Sequence, residues 1–372
     1  MRAIGVILAA GNSRRMKELT AKRATAAMPM WGTYRAIDFV LTNMADSGVQ
    51  KVAVLTEYNS KSLSEHLNSA KWWDFGRKIG GLFVYHPTIT PENSNWSRGT
   101  IDSMYQNISY LKDSHEPYVI IASGDGCYRL DYSKVLEYHI EKRADITVVT
   151  SDIQNWEDPD RFGQVSTLPD GRIRDFEEKP ALTESHEVNT GVYIIRRRLL
   201  IELLEACMEE DRYDFVRDVI IRQRHAKRIY AYHMDSYWSN IASVNSYYHT
   251  NMDFLRPEVR ENFFGSGHTV LTKPNDFPPA KYNYGCYVRN ALVASGTIIN
   301  GTVENSIIFK KSYIGDGCVI RNSIILNDVY IGDRTVVENC IVESHNTLEK
   351  GCQYIGDPEN IRIVIEKNLR LL

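Results

Sequence analysis

A turn after the first apolar run of the chain has the composition of a phosphate-binding loop. Residues 4–9 are apolar, and residues 9–16 have the sequence Ala-Ala-Gly-Asn-Ser-Arg-Arg-Met. A tight turn after a buried strand allows backbone N–H groups to approach a polyphosphate. One glycine, Gly11, is a weak signal, and Ser13 stands where a second glycine would permit a closer approach.

The elements that would position this turn are short strands that alternate with helices up to about residue 250. Apolar runs predict strands at 4–9, 51–56, 118–122 and 146–150, and the patterns between them predict helices at 38–47, 61–69, 101–112 and 132–142. This alternation implies right-handed βαβ crossovers and a mostly parallel sheet. In such sheets, ligands bind beyond the carboxyl ends of the strands, where the turn lies.

The composition is typical of a soluble protein large enough for two domains. Of the 372 residues, 43% are hydrophobic and 24% are charged, and the formal net charge is −3. This balance argues against nucleic-acid binding. No apolar run approaches the roughly 20 residues that cross a bilayer, so we expect no membrane partner. The six cysteines show no CxxC spacing, which favours a reducing, cytoplasmic location without a disulfide framework.

The C-terminal part of the chain contains an internal repeat. Asn-Ser-Ile-Ile at 305–308 recurs at 322–325 and as Asn-Cys-Ile-Val at 339–342, and Tyr-Ile-Gly-Asp at 313–316 recurs at 330–333, always 17 residues apart. Hexapeptide periodicity of this kind indicates a parallel β-helix. We therefore predict an α/β domain at 1–255, a Pro- and Gly-rich linker at 256–283 and a β-helix at 284–372. Because solenoid flanks often form subunit interfaces, we also expect an oligomer.

An ordered series of motifs resembles the glucose-1-phosphate adenylyltransferases, the ADP-glucose pyrophosphorylases of bacterial glycogen synthesis. The resemblance covers nearly the whole chain. It implies an α/β fold with a Rossmann-like nucleotidyltransferase domain followed by a left-handed parallel β-helix. The motifs are residues 8–16, 19–39, 96–100 (Trp-Ser-Arg-Gly-Thr), 123–128 (Ser-Gly-Asp-Gly-Cys-Tyr), 176–180 (Phe-Glu-Glu-Lys-Pro), 189–193 (Asn-Thr-Gly-Val-Tyr), 214–218 (Asp-Phe-Val-Arg-Asp) and 236–238 (Ser-Tyr-Trp).

The reaction that this resemblance implies joins glucose 1-phosphate to ATP and releases pyrophosphate. Charge builds on phosphate oxygens, so the site must supply lysine, arginine and a Mg²⁺ ion held by two aspartates. By position, Arg15 keeps the loop arginine and Asp125 keeps the first metal carboxylate. Thr25 replaces the phosphate-facing lysine, and Asn240 replaces the second aspartate.

These replacements predict impaired catalysis. Losing one transition-state donor costs about 2.7–4 kcal/mol, or about 100–1,000-fold in rate. Asparagine ligates Mg²⁺ through a neutral carbonyl, so the site loses a full charge against a hard dication. We expect Asp125 to be a vestigial or weak metal ligand, with Mg²⁺ binding weakened and no cofactor certain. Asn12, where an arginine is often found, and Ser13, in place of glycine, also depart from the family pattern.

The resemblance assigns further residues to three ligand groups. Two residues outside these groups, Trp96 and Glu57, stand at positions that relay activation in the family. Glu57 replaces a usual glutamine there, and we expect Trp96 to be a core residue. The three residues assigned to effector binding are basic, and a solvated surface charge is an equal alternative to that role. The groups are nucleotide binding (Leu8, Ala10, Gly11, Asn12, Gln106, Gly124), sugar-phosphate binding (Glu178, Lys179, Asn189, Gly191) and effector binding (Lys22, Arg23, Arg35).

The function that the resemblance implies is that of a GlgD-type regulatory subunit. Such a subunit forms a heterotetramer with a catalytic glucose-1-phosphate adenylyltransferase and raises its activity, while ATP, glucose 1-phosphate or another sugar phosphate acts as ligand or effector. One alternative is an active adenylyltransferase in which Lys17 or Lys22 replaces the lysine and Asp235 replaces the aspartate. Another is a pyrophosphorylase for a different sugar or base.

Overall fold

The computed structural model describes residues 1–11, 14–76, 80–87, 96–157, 161–178 and 187–365. Its chain divides into two compact units. The first unit comprises Met1–Asn12, Arg23–Ala27 and Ile37–Asn240, and the second comprises Ser13–Lys22, Met28–Ala36 and Ile241–Leu372. None of the helices in these described ranges is both long and apolar enough to span a bilayer.

The regular elements are numbered along the chain. The strands up to residue 240 are β1 (Ala3–Ala9), β2 (Pro29–Met30), β3 (Tyr34–Arg35), β4 (Lys51–Thr56), β5 (Gly81–Tyr85), β6 (Tyr118–Ser123), β7 (Gly126–Tyr128), β8 (Ile146–Asp152), β9 (Gly163–Thr167), β10 (Ile173–Glu178), β11 (Glu187–Arg196), β12 (Ile229–His233) and β13 (Trp238–Asn240). The later strands are β14 (Lys281–Tyr282), β15 (Tyr287–Val293), β16 (Ile298–Ile299), β17 (Thr302–Ile308), β18 (Tyr313–Ile314), β19 (Val319–Arg321), β20 (Ile324–Ile325), β21 (Tyr330–Ile331), β22 (Val336–Glu338), β23 (Cys340–Val342), β24 (Thr347–Leu348), β25 (Gln353–Ile355) and β26 (Arg362–Val364). The α-helices are α1 (Ala36–Asp46), α2 (Lys61–His66), α3 (Thr100–Tyr105), α4 (Ile108–Lys112), α5 (Tyr132–Glu141), α6 (Arg197–Glu209), α7 (Val244–Asp253) and α8 (Pro257–Phe264).

The first unit is built on a nine-stranded mixed sheet among the described residues. Its centre is the parallel series β6-β1-β4-β5, which begins with the almost wholly buried run Ala3–Ala9. Strand β11 runs antiparallel to β6, β8 and β9, whereas β12 is parallel to β8. The predicted mostly parallel sheet is therefore limited to this central series and to the β8–β12 pair. The carboxyl ends of β6, β1 and β4 meet at one edge, where ligands of such sheets bind.

The strands and helices predicted for this unit are present, except that one predicted helix is divided into two. Strands lie at all four predicted apolar runs, and helices lie at the four predicted helical runs. The run predicted as one helix at 101–112 forms α3 and α4 instead, and α4 begins after Asn107. The side chain of Asn107 donates to the carbonyl of Ser103 at 2.9 Å. Asparagine competes with helical hydrogen bonding through such local bonds, which accounts for the break.

The second unit contains a parallel β-helix in which 17 residues make one coil. Val303 lies beside Ile320, Ile320 beside Val337, and Val337 beside Tyr354 in successive parallel pairs. The stacked aliphatic side chains form a buried core. Asn305, Asn322 and Asn339 have φ values of 45°, 44° and 52°, the left-handed conformation that asparagine tolerates better than most residues. Each 17-residue repeat therefore supplies one turn asparagine and several aliphatic residues that stack on those of the neighbouring coil.

Part of the segment predicted as a linker is helical. Helix α8 begins with Pro257, a residue favoured in the first turn of a helix because it lacks an N–H that would need a partner, and it buries Val259 and Phe263. Within the same unit, the Trp31 ring stacks on Phe254 at 3.7 Å and meets the edge of Phe263 at 4.6 Å. The apolar spacing of Val259 and Phe263, four residues apart, gives this segment a packed face despite its prolines and glycines.

Candidate functional site

A cavity of about 320 Å³ opens at the carboxyl edge of the central strands. It lies where the chain leaves β1, β4 and β6, as the strand order predicts. Three of the predicted nucleotide-binding residues, Leu8, Ala10 and Gly11, line it. The lining residues are Leu8, Ala9, Ala10, Gly11, Thr25, Ala26, Glu57, Ser97, Arg98, Gly99, Thr100, Ser103, Ser123 and Asp125.

Thr25 is held against the turn that follows β1. It is buried in a short helical turn, Thr25–Ala27. Its hydroxyl Oγ1 donates a hydrogen bond to the backbone carbonyl of Gly11 at 3.2 Å. The side chain therefore stabilises the turn but brings no positive charge to the cavity.

Asp125 and Asn240 lie side by side, although 115 residues separate them in the sequence. Asp125 immediately precedes β7, and β7 pairs antiparallel with β13, with Gly126 opposite Asn240. The amide Nδ2 of Asn240 donates to Asp125 Oδ1 at 3.0 Å, and Ser123 Oγ donates to the same oxygen at 2.5 Å. An ionised carboxylate only accepts hydrogen bonds, so the asparagine must present its NH₂ group here.

This pair does not fit a strong Mg²⁺ site. Magnesium requires oxygen ligands, usually including carboxylates, but the group that Asn240 turns toward Asp125 is a nitrogen donor. Asn240 Oδ1 is buried and has no hydrogen-bond partner in the part of the chain that the structure describes. Within those same residues, no cluster of three or more His, Cys, Asp or Glu side chains could hold a metal ion. The pair therefore offers a cation one carboxylate, and one oxygen of that carboxylate already accepts the amide hydrogen.

A buried carboxyl group supports the strand that carries Asn240. Ser239 Oγ donates to Glu157 Oε1, and the backbone N–H of Gln154 donates to Glu157 Oε2, each at 3.3 Å. Burial raises the pKa of Glu157 to about 7, against the opposing effect of hydrogen bonds from Gln154, Asn240 and Ser239. Glu157 was not among the predicted site residues.

The opposite rim of the cavity is formed by residue 57 after β4 and by the segment that leads into α3. Arg98 Nε and its backbone N–H donate to Asp102 Oδ2 at 3.0 and 2.9 Å, and its guanidinium lies 4.0 Å from the ring centroid of Tyr213. A Cβ on Gly99 would lie 2.4 Å from the Tyr213 carbonyl, so only glycine permits this close approach. The contacts with Asp102 and Tyr213 hold Arg98 at the rim, and Asp102 compensates its charge.

The predicted sugar-phosphate residues that the structure describes lie near one another. Asn189 Nδ2 donates to the Tyr193 hydroxyl at 2.7 Å, and the charge of Glu178 contributes to raising the pKa of Tyr193, for which burial is the main cause. A bulge in β11 follows Asn189. There Gly191 has a φ of +76°, and a Cβ on it would lie 3.2 Å from Ser123 Cβ. The bulge thus approaches the end of β6 next to Asp125, whereas Lys179 lies outside the described residues.

The remaining predicted site residues are distributed between the two units. Arg15 and Lys22 are exposed and belong to the second unit, and Arg35 is half-buried there in β3. Arg23, in the first unit, is also half-buried. Asn12 and Ser13 lie outside the described residues.

Two predicted nucleotide-binding residues of the first unit do not line the cavity. Gly124 is packed tightly instead: a Cβ on it would lie 3.2 Å from Ala26 Cβ. Its backbone N–H donates to the carbonyl oxygen of Leu8 at 2.9 Å. Gln106 has a buried Nε2 without a hydrogen-bond partner among the described residues.

One prediction about this region is wrong. Trp96, expected in the core, is 61% exposed, and its ring lies 5.9 Å from the ring of Tyr58. The chain leaves β4 and enters α3 at the sheet edge, and both aromatic side chains lie at that surface rather than under it. Arg98, Ser97 and Ser103 line the cavity but were not predicted as site residues, although Ser97 and Arg98 fall inside a motif that the sequence singled out.

Family comparisons agree with this architecture. A model described as nucleotidyl transferase matches residues 4–256, and a model described as GlmU-like C-terminal hexapeptide matches residues 274–361. The chain belongs to the nucleotidyl transferase family and carries a hexapeptide-repeat β-helix C-terminal to that domain in the sequence.

Comparison with individual proteins identifies a narrower group of relatives within the nucleotidyl transferase family. The chain is 35% identical to the glucose-1-phosphate adenylyltransferase of Thermotoga maritima over 325 residues, which are 86% of this chain and 76% of the relative. It is 34% identical to the enzyme of that name from Geobacillus stearothermophilus over 323 residues, 86% and 83% of the two chains. For the Clostridium novyi protein the identity is 33% over 321 residues, 85% and 84% of the two chains. The chain is therefore a homologue of the glucose-1-phosphate adenylyltransferases.

Proposed function

We propose that this chain is a regulatory, catalytically impaired subunit of a glucose-1-phosphate adenylyltransferase in bacterial glycogen synthesis. The observation that carries the proposal is the hydrogen bond from Asn240 Nδ2 to Asp125 Oδ1 at 3.0 Å. Where transfer of a nucleotidyl group needs a metal ion between carboxylates, this chain has an amide that donates to one oxygen of the remaining carboxylate. A Mg²⁺ ion between these two side chains must displace that bond and then binds with one fewer negative charge.

The contact of Thr25 supports the same conclusion. Phosphoryl transfer depends on positive charge placed where the phosphate oxygens become more negative. Thr25 is buried and donates to Gly11, so its side chain contributes to the turn and supplies no cation. Each loss costs about 2.7–4 kcal/mol of transition-state stabilisation. The two effects need not add, but together they leave trace turnover at most.

The preserved cavity supports a binding role. Its backbone edge along residues 8–11, the serines at its rim and Asp125 remain in place, so ATP or a sugar phosphate can act as ligand without reacting. We propose that the chain assembles with its catalytic paralogue into a heterotetramer in the cytoplasm and raises the activity of that partner. The basic residues Lys22, Arg23 and Arg35 stay candidates for binding an anionic effector.

An active adenylyltransferase is the second candidate, and the observation that favours it is the 35% identity with enzymes of that name. It requires other side chains to restore the lost charges. Asp235, the substitute considered for the missing aspartate, does not line the cavity; its side chain is 98% exposed and lies 3.6 Å from His233. This position favours the first proposal over the second.

A gain-of-function experiment separates the two candidates. The purified chain is assayed for ADP-glucose formation from ATP, glucose 1-phosphate and Mg²⁺, together with the double variant Thr25→Lys, Asn240→Asp. An impaired site predicts little turnover by the unmodified chain and a gain of at least about 100-fold in the double variant. The control pair, Thr25→Val with Asn240→Ala, removes the same contacts without restoring charge and should show no gain. Turnover by the unmodified chain that matches an ordinary relative would contradict the proposal.

A second experiment tests assembly. Co-expression with a catalytic paralogue, followed by size-exclusion chromatography and activity measurement, should give a mixed tetramer that is more active than the paralogue alone. An Asp125→Ala variant should still assemble, since the hydrogen-bond partners of Asp125, Ser123 and Asn240, lie with it in the first unit. Separate elution of the two chains, with no change in the activity of the paralogue, would contradict the regulatory role.

A further inference from the structure

The edge of the first-unit sheet opposite the cavity is rich in cations. At this edge strand β8 begins between the end of β11 and the start of β12, because Ile146 lies opposite both Ile195 and Ile229. The residues just outside these three strands therefore lie close together. The cations among them form a surface that we call the basic edge, and they are Arg143, Arg196, Arg198, Lys227 and Arg228.

One carboxylate orients the two central arginines. Asp145 Oδ1 forms an ion pair with Arg196 Nη2 and lies 3.4 Å from Arg228 Nη2. Asp145 Oδ2 accepts the backbone N–H of Arg228 at 2.9 Å. The side chain of Asp145 is 14% exposed, whereas those of Arg196 and Arg228 are 49% and 48% exposed. Each guanidinium group has five N–H donors, so both keep donors for a further partner.

Positive charge exceeds negative charge at this edge. Arg143 and Arg198 are exposed, and Lys227 is half-buried. Two further carboxylates adjoin these segments. Glu116 precedes β6, whose first residue lies opposite the last residue of β11, and Glu141 ends α5. The cations of the basic edge still outnumber the neighbouring carboxylates.

A buried histidine beneath the edge is affected by the same excess. The ring of His139, on α5, lies 5.5 Å from the ring of Tyr118. Burial is the main cause that lowers the pKa of His139 to about 4, and the charge of Arg196 lowers it further. Asp145 opposes this with a smaller effect. The single carboxylate therefore does not cancel the positive charge that it holds in place.

We propose that the basic edge is a docking surface for an acidic segment of another protein. Carboxylates match the fork geometry of the guanidinium group, as the contacts of Asp145 with Arg196 and Arg228 illustrate. Arginine is also enriched where protein surfaces meet. A long polyanion such as a nucleic acid fits this surface less well. The whole chain carries a formal net charge of −3, so the surface beyond the basic edge is acidic and repels a polyanion that extends over it.

This surface lies apart from the cavity. Arg196 is paired with Tyr118, the first residue of β6, whereas Asp125 follows the other end of that strand. A strand of this length spans roughly 17 Å, which exceeds the distance over which physiological salt screens exposed charges. An acidic partner can therefore dock without closing the cavity, and the inference does not depend on the proposed function.

The test measures binding of a fluorescein-labelled glutamate decapeptide to the full chain by fluorescence anisotropy. The peptide should bind in about 50 mM NaCl and more weakly in about 150 mM NaCl, because salt screens exposed ion pairs. Arg196→Gln with Arg228→Gln should lower the affinity at least about fivefold, as the loss of two exposed ion pairs requires. The control pair, Arg289→Gln with Arg334→Gln, removes the same charge from exposed positions in the second unit and should change it less than about twofold.

A second variant separates docking from folding, since Arg196 and Arg228 also hold Asp145. Arg143→Gln with Arg198→Gln changes two exposed side chains of the basic edge and leaves those ion pairs in place. It should keep the thermal midpoint of the unmodified chain and lower the affinity for the peptide at least about threefold.

Several results would overturn the inference. These are failure of the peptide to bind in about 50 mM NaCl, an equal loss of affinity in the control pair, and an unchanged affinity in the variant with Arg143→Gln and Arg198→Gln. Tighter binding of a uridylate decanucleotide or of phosphatidylglycerol vesicles than of the peptide would assign the surface to a nucleic acid or a membrane instead. Turnover and activation of the paralogue test the proposed function separately, so either conclusion can fail without the other.

Discussion

Glu157 makes the stability of the first unit depend on pH in a defined direction. The unfolded chain releases the proton of residue 157 at about pH 4.5, whereas burial holds the pKa of the folded carboxyl group at about 7. Between these pH values the folded protein binds more protons than the unfolded chain. The free energy of unfolding therefore falls as the pH rises from about 4.5 to about 7, and it changes no further through this group at higher pH.

The size of the effect follows from the two pKa values. One pKa unit corresponds to about 1.4 kcal/mol, so the shift from 4.5 to about 7 corresponds to about 3 kcal/mol of stability lost across this range. Glu157→Gln imitates the protonated carboxyl group at every pH. The variant should match the unmodified chain near pH 4.5 and exceed its stability by about 3 kcal/mol above pH 7.5, since its uncharged side chain carries no buried charge.

The measurement is urea unfolding of the full chain between pH 4.5 and 8, analysed for the transition of the first unit. Taking the difference between variant and unmodified chain removes the contribution of all other titrating groups. Glu137→Gln, at an exposed position on α5, should give a flat difference. A flat difference for Glu157→Gln as well, or a variant less stable than the unmodified chain at pH 8, would refute the argument that a buried charge on Glu157 opposes folding.

Three further predictions concern individual contacts. Asn240→Asp places a second carboxylate against Asp125 in place of a hydrogen bond. The thermal unfolding midpoint of this variant should fall by about 2–4 °C and recover in millimolar MgCl₂. An equal response of the unmodified chain to MgCl₂ would refute this prediction. Thr25→Val removes the bond to the Gly11 carbonyl and should cost about 1 kcal/mol in urea unfolding, whereas no loss would show that the bond is not formed. Asn322→Ala at a φ of 44° should cost about 1 kcal/mol, and Asn322→Gly should be nearly neutral; equal losses would show that the left-handed backbone is not the cause.

The sequence predicted the fold well where local patterns determine structure. Apolar runs of the strands and the spacing of 17 residues in the β-helix depend on neighbours that are close in sequence or repeat regularly, so they can be recognised without coordinates. The break at Asn107 and the helix at 257–264 were missed because a single side-chain bond decided the first, and apolar spacing outweighed prolines and glycines in the second.

The site was predicted less completely. Motifs placed Thr25, Asp125 and Asn240 at positions that carry chemistry, and two of these meet in the structure. The exposure of Trp96 and the burial of Glu157 were not predictable in the same way. Exposure depends on what the rest of the chain packs over a residue, and an aromatic residue or a glutamate in a loop carries no local pattern that reveals this.

The amino-acid sequence by itself determined that the chain has a nucleotidyltransferase scaffold and which charges it lacks, because residue identity fixes charge at each motif position. Only the tertiary structure decided what replaces those charges. Pairing of β7 with β13 brings the Asn240 amide to Asp125 from 115 residues away, and the ends of β4 and β6 place Glu57 and Asp125 on opposite sides of one cavity. Hydrogen bonds and electrostatic interactions depend on distances of a few ångströms, and for residues far apart in the chain those distances are set by the fold.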